Sequence, residues 1–240
     1  PYDALIDFIL MQGKSYIITC HRQANMVCIR NIETNHLVAI SRIQPPPKQQ
    51  LQDSHQQAHS YPALKAPYTF NNPVACAVHK KSGKLFVADH YNHRILCFDL
   101  KTGIFLHVFG HVEMQQHHGP SLNVQANVRH QQFFFPRGLA VHEDLLIVSE
   151  GNYGQSLLAD HARVQVLDIN TGMTLHILGD TYGSEECQFK VPHGMIIHPT
   201  NQHLFIADRG NNRIQVFDTN NQFKFLYKIS FDNKSHQGAN

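Results

Sequence analysis

No two of the five cysteines stand at C-x-x-C spacing, and their number is odd. A disulfide framework and a cysteine zinc site are both disfavoured. Cys20, Cys28, Cys76 and Cys97 fall inside runs that read as strands. They are expected to be small buried hydrophobes of a reducing compartment. G-x-S-x-G, H-E-x-x-H and P-loop sequences are also missing, which removes the common motif-borne routes to hydrolysis and nucleotide chemistry. No apolar run approaches bilayer length and no secretory leader opens the chain. No membrane partner is expected, and the expected location is cytoplasmic. The chain opens on Pro1 rather than Met, so it reads as a fragment or a processed product. Charge is sparse too. The net value is +2 with histidines neutral, which supplies no overall basic field for nucleic acid.

What is present is a repeat. PHGMIIHPTNQHLFIADRGNNRIQVFD runs from Pro192 to Asp218, and PVACAVHKKSGKLFVADHYNHRILCFD runs from Pro73 to Asp99. Pro73 leads Asp89, Arg94 and Asp99 by the intervals that separate Pro192 from Asp208, Arg213 and Asp218. A third copy opens with PRGLAVHEDLLIVSEGN at Pro136, is interrupted, and resumes at Arg163 with RVQVLDINTG. Each copy is a set of short β-branched and aromatic runs, such as Leu204-Phe205-Ile206-Ala207, separated by turn residues. These are antiparallel meanders of about four strands. Residues 16–40 fit the pattern as a degenerate first copy, with Cys20 placed where Asp89 stands and Asn25 where Arg94 stands.

A sheet of this kind cannot cover both its faces, so copies are expected to stack radially as an all-β propeller. The expected blades are 1–43, 70–110, 135–179 and 191–230. The long loops are 44–69, 111–134, 152–162 and 180–190, the second with a short helical turn over 122–128. Pro45-Pro46-Pro47 and the Gln- and His-rich stretches keep these loops out of the core. In Leu85-Phe86-Val87-Ala88 every residue is apolar, as a strand packed on both faces requires. Uncovered end faces carrying Ile17, Phe205 and Ile214 would favour association with missing blades, a partner chain or a second copy.

VADHYNHRILCFD and IADRGNNRIQVFD, each preceded by a Pro-led AVH or IIH strand, resemble the NHL repeat family. That resemblance implies blades of a propeller that is typically six-bladed, so this chain's four would be part of a larger ring. It also implies a binding scaffold, with single-stranded RNA recognition in some members. The third copy departs from the pattern, with Ser149-Glu150 in place of Ala-Asp. At the end of the first strand the family's Asp is replaced by His79, His142 and His198.

The long loops and the turns between second and third strands emerge on one face, where binding is expected. Its candidate residues are His90, Tyr91, Arg137, Tyr153, His193 and Arg209. A protein or peptide partner is the first expectation. Single-stranded RNA is the alternative, with Arg129 as a further contact. A metal-dependent lyase or hydrolase is the second alternative. FKVPHG resembles a segment of the peptidyl-hydroxyglycine lyases, where such histidines supply zinc ligands. Here the positions equivalent to His193 are Val74 and Arg137, so only one ligand is present where three are needed. His193, His79, His142 and His198 are weak metal candidates, and Glu150 with Asn152 weak calcium candidates. No cofactor and no catalytic residue is expected. Asp89, Arg94, Asp99, Asp208, Arg213 and Asp218 repeat too regularly to be one active site and read as ion pairs or turn caps.

Overall fold

The structure, a computed structural model, describes residues 4–11, 13–40, 69–110, 132–151, 162–179 and 181–231. They form four sheets of four antiparallel strands each, paired in chain order. Sheet I holds β1 (Ala4–Met11), β2 (Lys14–His21), β3 (Met26–Asn31) and β4 (Leu37–Ile40). Sheet II holds β5 (Pro73–His79), β6 (Lys84–Asp89), β7 (Arg94–Asp99) and β8 (Phe105–Phe109). Sheet III holds β9 (Pro136–His142), β10 (Leu145–Glu150), β11 (Arg163–Asp168) and β12 (Thr174–Leu178). Sheet IV holds β13 (Pro192–Ile197), β14 (His203–Asp208), β15 (Arg213–Asp218) and β16 (Lys224–Ser230). The described residues contain no α-helix, only 3-10 turns at His90–Asn92 and Arg209–Asn211. The helical turn expected over 122–128 lies outside the described residues. The chain divides into two compact units, Pro1–Phe133 with sheets I and II, and Phe134–Asn240 with sheets III and IV.

Local chemistry sets the turns. A residue in the left-handed region precedes the third strand of sheets I, II and IV: Asn25 (φ 50°), His93 (φ 52°) and Asn212 (φ 50°). Asn tolerates that conformation well, and it lets a tight turn reverse the chain. This corrects the register expected for the first copy. His21 pairs with Met26 as Asp89 pairs with Arg94 and Asp208 with Arg213. Asn25 belongs with His93 and Asn212, so Cys20 does not take the place of Asp89. Sheet I therefore lacks the acidic–basic pair. At the next turn the last residue of the third strand caps the backbone. The Asp99 carboxylate accepts from the Thr102 N–H (2.8 Å) and hydroxyl (2.7 Å), and Asp168 accepts likewise from Thr171. Asn31 does the same with Thr34. Gly103 (φ 70°) then completes the turn where a side chain would be strained.

In the first unit, one face of sheet I packs on sheet II. Ile18, Cys20, Val27 and Ile29 meet Leu85, Val87, Leu96 and Phe98, all of them buried. In the second, Ala140, Ile147, Val164 and Val166 of sheet III meet Leu204, Ile206 and Phe217 of sheet IV. Each fully buried aliphatic or aromatic side chain contributes on the order of 1.5–3 kcal/mol. A phenylalanine three residues ahead of the opening proline locks the approach to sheets II and IV. Phe70 packs against Phe98, with ring centroids 5.8 Å apart, and Phe189 against Phe217 at 6.2 Å. Phe189 also lies over Gly179 (φ 76°), where an added Cβ would fall 2.1 Å from its ring.

Sheets III and IV meet at backbone distance. A Cβ on Gly138 would lie 2.0 Å from the His193 carbonyl oxygen. The ladder of β13 with β14 shifts register between Pro192 and Met195. This bulge releases the His193 carbonyl toward sheet III. There the Ser149 hydroxyl donates to it at 2.6 Å while accepting from the Gly138 N–H at 2.9 Å. Cys20, Cys76 and Cys97 are buried, and all five cysteines are free. Burial pushes the Cys97 thiol up to about 12, which leaves it inert as a nucleophile.

Candidate functional site

The repeated pairs Asp89–Arg94 and Asp208–Arg213 stand at the sheet edge that carries the second-to-third-strand turn. Asp89 closes β6 and Arg94 opens β7, so the ladder sets them side by side. The Arg94 Nε donates to the Asp89 carboxylate at 2.7 Å. The other carboxylate oxygen accepts from the Asn71 backbone N–H at 2.6 Å, and Asn92 adds a bond at 2.9 Å. Sheet IV repeats the arrangement. Asp208 accepts from Arg213 (2.9 Å), Asn211 (2.7 Å) and the Lys190 N–H (3.0 Å). Arg213 goes on to donate to the carbonyls of Ser184, Glu185 and Gln188. In sheet III the acid is Glu150. It binds Arg163 at 2.5 Å, the Phe134 N–H at 2.5 Å and Gln165 at 2.7 Å. In every case the captured N–H lies two residues before the opening proline. Each knot thus ties the start of its sheet to the middle.

All three carboxylates are fully buried. Desolvation raises the pKa of Asp89 and of Glu150, with the neighbouring guanidinium pulling the other way. The pairs are structural: each carboxylate is held by its arginine, a backbone N–H and a side-chain amide. Glu150 is unavailable to a calcium ion for that reason, which corrects the candidate role given it above.

Around the knots, the expected binding residues divide. Tyr91 stands 52 % exposed on the 3-10 turn, with its N–H on the Asn71 carbonyl. Arg209 is exposed on the matching turn of sheet IV. His193 is half-buried at the sheet III–IV contact, its carbonyl held by Ser149. His90 and Arg137 are not on the surface as expected. His90 is buried under the Tyr91 ring, with centroids 4.8 Å apart. Arg137 lies flat in the sheet and donates through Nε to the Gly151 carbonyl at 2.7 Å. Tyr153 and Asn152 lie outside the described residues. Two further groups belong to these edges. In the first unit Arg22 donates to the Asn72 side chain at 2.8 Å, and the Asn25 side chain accepts from the Asn72 N–H at 2.7 Å. In the second, Tyr182 is 41 % exposed. Neither group has a repeat signature, so motif reading passes over both.

Two of the three in-phase histidines, His79 and His198, bond into their turns. His198 Nδ1 accepts from the Thr200 and Asn201 N–H groups at 3.3 and 3.4 Å. His79 Nδ1 is 2.7 Å from the Ser82 hydroxyl, and His142 is buried at the same strand end. A neutral imidazole nitrogen here does what a carboxylate oxygen does in the family pattern. Among the described residues no group of three His, Cys, Asp or Glu side chains is placed to hold a metal.

Comparison with known proteins agrees with this geometry. The NHL repeat family matches residues 70–98 and 189–217, the cores of sheets II and IV. No curated protein matches the chain. Among solved structures, that of U3-55K is similar with a TM-score of 0.56 at 11% identity. The match covers 96% of this chain and 53% of that one, so this chain spans about half its length. That likeness carries the fold alone. No helix among the described residues is long and apolar enough to cross a membrane. Sheets II and IV match the family outright, and sheet III carries the same knot with glutamate for aspartate. The chain carries two NHL repeats, at 70–98 and 189–217, within an all-β fold of four propeller-type blades.

Proposed function

We propose that this chain is a non-catalytic scaffold that presents the knot-bearing edges of its blades to a protein or peptide partner. The observation that carries this reading is the division of labour at those edges. The buried acids and arginines are held in fixed bonds, while Tyr91, Tyr182 and Arg209 are displayed beside them. Exposed tyrosine and arginine on a rigid support are the residue types enriched at protein interfaces. Proton transfer or nucleophilic attack needs a reactive group with open access, and these acids are sealed in ion pairs. A peptide is favoured over single-stranded RNA because the arginines nearest the edge are committed internally: Arg94 and Arg213 to their knots, Arg22 to Asn72. A cationic track of the kind a phosphate backbone needs is not displayed there.

The test is selection of a displayed random-peptide library on the intact chain, followed by titration of the enriched peptides. Peptides selected on the first unit's edge are expected to weaken tenfold or more on Tyr91→Ala, and those selected on the second unit's edge on Arg209→Ala, neither substitution changing the melting temperature. No enrichment, or enriched peptides indifferent to both substitutions, overturns the proposal. So does salt-sensitive binding of a single-stranded oligonucleotide that either substitution abolishes, which places RNA on that edge.

A further inference from the structure

The fourth strands of the four sheets are not alike. β4 has four residues and β8 and β12 have five each, whereas β16 has seven. Each shorter strand pairs four residues of its neighbour. β16 pairs all six of β15, and the Phe231 N–H extends the ladder to the Asn212 carbonyl at 3.0 Å. No residue of β8 is exposed, while six of the seven in β16 are. Among the described residues nothing pairs with the other side of β16. A long, exposed and regular edge is a template for another strand.

The bond to Asn212 fixes which backbone groups face that edge. In an antiparallel ladder the N–H and C=O of alternate residues point to the same neighbour. Phe231 points to β15, so Ile229 and Tyr227 do as well, opposite Ile214 and Val216. Lys228 and Ser230 therefore turn their N–H and C=O outward. Side chains alternate between faces on the same period. Tyr227 (45% exposed), Ile229 (39%) and Phe231 (57%) share one face. Lys228 stands on the other, opposite Gln215. Lysine at an open edge guards it against pairing with apolar and basic strands. The same charge favours a strand that sets an acid opposite it.

We infer that the outer edge of β16 is a docking site for an extended acidic segment of a partner, added antiparallel as a fifth strand of sheet IV. An aspartate or glutamate stands opposite Lys228, where the two residues exchange both backbone hydrogen bonds. β-Branched residues flank it opposite Tyr227 and Ile229, where aromatic and branched side chains pair well. The occupant thus reads apolar, acidic, apolar. It is an extended chain and not a helix, because the groups it must satisfy are backbone donors and acceptors, and a helix keeps its own in internal bonds. An antiparallel second copy of β16 centred on Lys228 would set lysine against lysine. This seat uses neither Tyr91 nor Arg209, and it stands whether or not the knot-bearing edges hold a partner.

The test titrates the intact chain with a capped peptide, Thr-Val-Glu-Val-Thr, and reads backbone amide exchange by NMR. The peptide is expected to slow exchange severalfold at the Lys228 and Ser230 N–H groups. Tyr227 and Ile229, already bonded to β15, should change little. Methylating the peptide's glutamate nitrogen, which faces the edge, should weaken binding tenfold or more. Methylating the nitrogen of the valine after it, which faces away, should not. Lys228→Glu should lose the glutamate peptide and take Thr-Val-Lys-Val-Thr in its place, with an unchanged melting temperature. No protection at millimolar peptide overturns the inference, as does indifference to Lys228→Glu. Equal tolerance of the two methylations also overturns it, since the contact would then run through side chains alone. Protection of Lys228 that appears with rising protein concentration and no peptide assigns the edge to a second copy and overturns the assignment to an acidic segment.

Discussion

Replacing Arg213 by Met removes one guanidinium and leaves four groups to account for it. Asp208 is fully buried and loses the cation 2.9 Å from its carboxylate. The carbonyls of Ser184, Glu185 and Gln188 lose donors at 2.5–2.7 Å. The methionine fills much of the volume, so the change is electrostatic and not a cavity. Breaking one side of a buried pair costs about 3–5 kcal/mol, because the remaining charge is uncompensated in a poorly polarisable site. Each orphaned carbonyl that water does not reach adds about 1 kcal/mol. The Asn211 and Lys190 N–H donors still hold Asp208 and bring the total back toward the lower end. We expect a loss of ~4 kcal/mol. It is to be measured by urea unfolding with hydrogen exchange resolved by peptide, since the chain has two compact units. Exchange should quicken first in 181–191, the segment the guanidinium ties down. The double variant Asp208→Asn, Arg213→Met should recover part of the loss, because no unpaired charge remains. A loss below ~1 kcal/mol, or a double variant no better than the single, would refute the assignment of the knot as a charge-compensated structural element.

Four other outcomes follow from the same geometry. Burial, helped by the nearby Lys84 charge, pushes His107 down to about 4, and its Nε2 has no hydrogen-bond partner. The unfolded chain then binds its proton first as pH falls, so the neutral, buried ring contributes stability above pH 6.5 that is lost between about 6.5 and 4. That loss is roughly 3 kcal/mol, and His107→Leu should flatten the unfolding profile in that window. Asp99→Ala removes three bonds at the turn from β7 to β8 and should cost about 1 kcal/mol in chemical denaturation, with Asp99→Asn largely restoring it. Gly138→Ala forces a methyl to 2.0 Å from the His193 carbonyl and should cost more than about 2 kcal/mol, read as faster exchange in β9 and β13. Tyr91→Ala, at an exposed turn, should shift stability by no more than about 0.5 kcal/mol while reducing peptide capture.

Much of the fold was readable because the repeat states its landmarks in chain order. Proline opens a sheet, an acid ends its second strand, arginine begins its third, and an acid caps the next turn. Pro73, Asp89, Arg94 and Asp99 say this once, and Pro192 to Asp218 say it again. The degenerate first copy shows the limit of that reading. With no acid or arginine to anchor it, register depended on apolar runs alone, and these tolerate a slip of one residue. Only the left-handed Asn25 and the capping Asn31 fix the count, and a backbone angle is not written in residue type. The site was less legible. His90 and Tyr91 are neighbours in sequence, yet one is buried and the other displayed, because a 3-10 turn directs consecutive side chains differently. Arg137 reads as a surface cation and lies instead along the sheet, its charge answered by the Gly151 carbonyl. The Arg22–Asn72 bond joins residues 50 positions apart and leaves no local pattern at all.

The knot of sheet III has a consequence for how this architecture can be altered. Glu150 and Arg163 lie 13 residues apart, whereas Asp89–Arg94 and Asp208–Arg213 each span five. The ion pair and its backbone N–H are made all the same, with the longer glutamate bridging to the strand opposite. Extra chain can therefore leave and rejoin a blade at that point without breaking the ladder, because both ends of the detour are pinned by one buried charge pair. The turns at 90–93 and 209–212 have the same two pins. A foreign loop grafted there between Asn92 or Asn211 and the arginine is expected to have its ends held at strand spacing by the same pair.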